Sequence, residues 1–113
     1  MWGSQVQTPG IITNAVIDFS GSGANTIVAG VAGKKIYIFR LYFILGGASN
    51  LTFKDGSTAL TGAMPFLANG YMVLDPTLVP WHECASGDAF IINSSNAVQV
   101  SGAIGYVQSK PVS

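Results

Sequence analysis

The stretch Leu51-Thr52-Phe53-Lys54-Asp55-Gly56-Ser57-Thr58-Ala59-Leu60-Thr61 decides the fold. Leu51 and Phe53 alternate with Thr52 and Lys54, the period of a strand with one buried and one wet face. Asp55-Gly56 follows, the strongest short-range hairpin signal in the chain, and predicts a turn joining strand 51–54 to strand 58–61. Outward from this hairpin the same grammar repeats. Gly21-Ser22-Gly23, Gly33-Lys34, Gly46-Gly47-Ala48, Asn69-Gly70, Asp75-Pro76, Ser86-Gly87-Asp88 and Asn93-Ser94-Ser95-Asn96 punctuate the chain. They recur at roughly the 8–12-residue spacing of an all-β sandwich or barrel. Between them, strands are predicted at 15–19, 26–29, Lys35–Leu45, Tyr71–Leu74, 89–93 and 98–107. Fourteen glycines and five prolines interrupt every helical stripe.

Two strands carry more detail. In 98–107, Val98, Val100, Ile104 and Tyr106 share one face, and Gln99, Ser101 and Ala103 share the other. In Lys35–Leu45 strict alternation puts Ile36, Ile38, Tyr42 and Ile44 on one side. Tyr37, Phe39, Leu41, Phe43 and Leu45 fall on the other. Both sides are apolar, so both are expected to be covered. One meets the core. The other is expected to be an oligomer interface formed by Tyr37, Phe39, Leu41 and Phe43, or else to be covered by the N-terminal segment. Arg40, set among these apolar groups, is expected to need a carboxylate partner.

Composition points to partners rather than chemistry. The 113 residues (11.7 kDa) are 49% hydrophobic and only 9% charged, with a formal net charge of +0. A chain of this mass buries about two-thirds of its extended surface, enough for one core. The balance excludes an electrostatic nucleic-acid binder and a disordered chain. So few charges predict a subunit whose outer faces meet other protein. The most apolar window, 36–45, is about half of the roughly twenty residues a spanning helix needs, so no membrane partner is expected. The single cysteine, Cys84, makes no internal disulfide, and the first residues show no secretory pattern. Synthesis in a cytoplasm is expected.

Residues 1–14 lack a period and carry Pro9-Gly10, so they read as an arm ahead of a single domain over 15–113. Its apolar residues Trp2, Val6, Ile11 and Ile12 are candidates for docking by edge-strand addition to a neighbour. The competing reading is a frayed terminus.

Catalytic patterns are sparse. Trp81-His82-Glu83-Cys84 offers a base, a carboxylate and a nucleophile, but catalytic partners normally come from distant parts of a chain. His82 is the only histidine, a poor start for zinc. The expected role of the segment is structural, with Trp81 packed on the core. Asp55, Asp75 and Asp88 sit beside Gly or Pro, where Asp caps turns. Gly21-Ser22-Gly23-Ala24-Asn25-Thr26 lacks the Lys of a phosphate loop. No catalytic, cofactor or metal residue is assigned.

The run from Asn25 to Val107 resembles small phage virion proteins. The landmarks are Val31-Ala32-Gly33-Lys34-Lys35-Ile36, the hairpin from Leu51 to Gly62, Pro65, Ala68-Asn69-Gly70 and Pro80-Trp81-His82-Glu83. Gly87-Asp88-Ala89, Ala97-Val98-Gln99-Val100-Ser101-Gly102 and Tyr106 complete them. The resemblance implies an all-β, single jelly-roll-like antiparallel β-sandwich of about eight strands, assembled as a homotrimer on a virion. There it implies a capsid decoration (cement) subunit bound to the major capsid protein or another virion protein; the candidate docking residues Trp2, Val6, Ile11 and Ile12 lie ahead of the matched run. A tail or fibre component contacting a receptor, and a small carbohydrate-binding sandwich, are the alternatives. His82 and Cys84 depart from the aromatic and Thr more usual there, which argues further against catalysis.

Overall fold

The computed structural model describes residues 12–110; of the expected arm, Trp2, Val6 and Ile11 lie outside the described residues. Ten strands follow one another: β1 Thr13–Phe19, β2 Gly23–Val28, β3 Lys35–Leu45, β4 Ser49–Asp55 and β5 Thr58–Ala59. The second half contributes β6 Met64–Phe66, β7 Tyr71–Leu74, β8 His82–Cys84, β9 Phe90–Ser94 and β10 Val100–Ser109. Among the described residues there is no helix.

The strands form two antiparallel sheets. Sheet A runs β1-β10-β3-β7, with β8 also on β3, and sheet B runs β2-β9-β4-β5, with β6 also on β4. The connectivity is that of one long hairpin rolled over itself. Its tip is β4–β5, where Gly56 takes a φ of 60° and Asp55 pairs with Thr58. Moving back from the tip, β3 pairs with β7 and β8, β2 with β9, and β1 with β10. This is a jelly roll: β5/β6 and β7/β8 are each one interrupted strand, so ten segments fill eight positions. Asn69, at a φ of 65°, makes the turn into β7. The sequence had marked the tip and this turn, but not β6 or β8, which are three residues each. Strand β1 starts at Thr13, so Thr13 and Asn14 belong to the sheet rather than to an arm.

The core lies between the sheets. Ile17, Ile36, Ile38, Leu41, Phe43 and Leu45 from sheet A meet Leu51, Phe53, Phe90 and Ile92 from sheet B. Phe53 anchors it, edge-on to Phe43 and Phe90 with ring centroids 6.2 and 5.6 Å away. Val100, Ile104, Tyr106 and Val98 pack inward as their alternation required, as do Leu51 and Phe53.

Strand β3 departs from strict alternation. It pairs with β10 as Gly105↔Arg40 and then Tyr106↔Ile38, so Phe39 is an extra residue, a β-bulge. Phe39 and Arg40 both leave the core side, and the parity of the strand switches there. Ile36 and Ile38 face in before the bulge; Leu41, Phe43 and Leu45 face in after it. The expected interface set is therefore divided. Leu41 and Phe43 are core residues, whereas Tyr37 and Phe39 form a separate buried cluster with Val107. On the other edge of β3 the bulge coincides with a break. Strand β7 ends opposite Leu41, β8 resumes opposite Ile38, and Asp75–Trp81 loops out between them.

Candidate interaction surface

Because β1, β10, β3 and β7 pair in register, their outward side chains line up in rows. One row is Val16–Ala103–Tyr42–Val73, the next Asp18–Ser101–Ile44–Tyr71, and on the other side lies Asn14–Gly105–Arg40. Val16 is 74% exposed, Tyr42 54%, Tyr71 71% and Val73 58%, and Ile44 is about half exposed. Across these three rows the outward residues of β10 are Ser101, Ala103 and Gly105, all small. They form the floor of a trough one strand wide between β1 and the large side chains of β3.

At the Arg40 end the trough deepens into a groove of about 440 Å³, lined among others by Asn14, Arg40, Tyr42, Val73, Asp75 and Gly105. Arg40 donates to the Asn14 side-chain oxygen and has no ion pair among the described residues. The expected carboxylate partner is replaced by an amide because Arg40 emerges at the bulge toward solvent instead of being enclosed. At the opposite end Gln99 Nε2 donates to Asp18 (2.7 Å) and to Ser101 Oγ (2.9 Å).

The outside of sheet B is different. Its rows are Ala24–Asn93–Thr52 and Thr26–Ile91–Lys54–Ala59, mostly small or polar. One sheet is finished for water; the other is not.

The remaining sequence candidates take structural places. Trp81 is 44% exposed rather than packed in the core, and its indole donates to the Asp75 carbonyl (2.7 Å), tying the base of the loop. Its position follows from the break beside the bulge, which lifts 75–81 off the sheet. His82 stacks edge-on to Phe53 at 5.8 Å, and burial pushes its pKa below the ordinary value. Cys84 is fully buried in the core, and burial, then Asp55 and Asp88, push its pKa up to about 12. A thiol so far from ionising is a poor nucleophile and a poor metal ligand. Glu83 points away and bridges to Lys35 at 2.9 Å. Among the described residues no three His, Cys, Asp or Glu side chains gather around a metal-sized space.

The chain matches no family model and no curated protein. Among solved structures it is similar to the Tobacco streak virus coat protein, at 14% identity over 96% of this chain and 93% of that chain, with a TM-score of 0.39.

Strict alternation finds the core on the regular strands and fails on β3 beyond Phe39. Alternation places Tyr42 and Ile44 on the core side, because the sequence carries no mark of the bulge at Phe39. Tyr71, Val73 and Val16 carry only the weak signal of apolar residues at outward parity on short strands.

Proposed function

We propose that this chain is a structural virion protein, a trimeric decoration subunit that binds the outside of a phage capsid and reinforces it. The observation that carries the reading is the unequal finish of the two sheets. A jelly roll with 9% charged residues presents one polar face and one broad apolar face, the pattern of a subunit built into an assembly. The sequence resemblance to small phage virion proteins supports the same reading. Attachment to the capsid is apolar and backbone-mediated, since a balanced charge gives little steering.

The test is addition of purified full-length protein to capsids of the virus that encodes it, stripped of their own copies, followed by imaging. Regular decoration matching the capsid lattice is expected, with little change between low and moderate salt. Binding to tails alone replaces the reading with a tail component. That second reading has one observation in its favour: Tyr42 stands exposed beside Asn14 and Asp75 in the groove, an arrangement suited to a sugar ring.

A further inference from the structure

We infer that the outer face of sheet A is where copies of this chain meet, the β3–β7 ridge of one copy filling the β10 trough of the next around a threefold axis. The inference deepens the trimer part of the proposed function and rests on it. It moves the contact from Tyr37, Phe39, Leu41 and Phe43 to Tyr42 and Ile44, which the bulge places outside, and to their row neighbours Val16, Tyr71 and Val73.

The occupant follows from area, shape and polarity. Val16, Tyr42, Ile44, Tyr71 and Val73 together leave on the order of 500 Å² of side chain in water, at the upper end of what soluble monomers expose in one patch. A ring uses this face twice, ridge against one neighbour and trough against the other, so each single contact is smaller than the roughly 800 Å² per partner of a standard interface and the closed ring, not one pair, is the stable unit. The patch has no uncompensated charge at its centre: Asp18 and Arg40 stand at opposite ends, each already hydrogen-bonded to a neutral amide.

The shape is self-complementary. Large residues on β3 and β7 stand beside small ones on β10, offset by one strand on the same face. When strands of neighbouring copies run alongside a common axis, the rows keep their level. Tyr42 and Val73 then meet Ala103 and Val16 of the next copy. Tyr71 meets the Asp18–Gln99–Ser101 cluster, where its hydroxyl finds acceptors. Ridge and trough are different surfaces, so the contact is head-to-tail and closes into a ring.

The experiment uses full-length protein. Wild type should sediment as a trimer at micromolar concentration, and Tyr42→Glu and Val73→Glu should sediment as folded monomers with unchanged circular dichroism. Independently, a Val16→Cys, Val73→Cys double variant should oxidise to a covalent trimer, while each single variant stays uncrosslinked on non-reducing gels. Dimers from either single variant would mean a twofold contact and overturn the inference. A Tyr42→Glu variant that remains trimeric would overturn the face while leaving the trimer intact. A monomeric wild type would overturn the trimer itself. Should a glutamate variant fail to fold, the cysteine pair decides.

Discussion

Gly105 lies directly opposite Arg40, and the arginine stem occupies the space a side chain at 105 would need: a Cβ there would sit 2.5 Å from Arg40 Nε. Gly102, three residues earlier on β10, meets a harder limit, since its Cβ would fall 1.9 Å from the Tyr42 carbonyl oxygen. One obstacle is a side chain that can swing into solvent; the other is the backbone of a central strand.

The two glycines should therefore respond differently to alanine. Gly102→Ala forces β3 and β10 apart and should cost about 3 kcal/mol, as overpacking does. Gly105→Ala displaces only Arg40, breaks its bond to Asn14 and should cost about 1 kcal/mol. Urea midpoints of the two variants give the comparison; equal losses would contradict it.

Trp81 and Phe53 make a second pair. Phe53 is fully buried and touches three other rings, so Phe53→Ala should cost about 3–5 kcal/mol. Trp81 is half in water and holds one loop bond, so Trp81→Ala should cost only about 1 kcal/mol. Thermal unfolding of both variants checks the order.

These cases show what the sequence carried. Periodicity and turn chemistry were enough for Leu51, Phe53, Val100 and Ile104, because a regular strand with one buried face leaves a period-2 signature. They failed at Phe39–Arg40, because an extra residue in β3 leaves no mark in composition, and every residue beyond it changes sides. The displaced Trp81, the divided Tyr37/Phe39 and Leu41/Phe43 set, and the exposed Tyr42 all follow from that one insertion. The jelly-roll order itself is a pairing of distant strands, which local patterns do not encode and which entered through resemblance.

Cys84 gives a third prediction. Its thiol lies in the core beside no exit to solvent, with its pKa pushed up to about 12. Thiol reagents at neutral pH should leave native protein unlabelled and modify it only on unfolding. Cys84→Ser buries a hydroxyl and should cost about 1–3 kcal/mol, whereas Cys84→Ala should cost less than that. Rapid labelling of the folded protein would refute the assignment.

The last prediction concerns pH, and two groups pull in opposite directions. Asp88 has its pKa raised, first by its hydrogen bond with Asp55 and then by burial and the Asp55 charge. Asp55 Oδ2 accepts from the Ala85 amide (3.0 Å), and its buried Oδ1 has no hydrogen-bond partner among the described residues, so a protonated Asp88 carboxyl would give the pair the donor it lacks. The folded state thus binds that proton more tightly than the unfolded chain. Its contribution is fully present at acid pH and is lost as pH rises through the folded pKa of Asp88. His82 behaves in reverse: burial lowers its pKa from 6.5, so the folded state disfavours the proton and stability falls as pH drops below about 6.5. Chemical denaturation from pH 3 to 8 should show both slopes in wild type. Asp88→Asn should remove the loss on going up from acid pH, because its amide donates to Asp55 without titrating. His82→Phe should remove the loss on going down from neutrality and leave the other slope in place. If Asp88→Asn keeps the full wild-type profile, the shared proton between Asp55 and Asp88 is wrong.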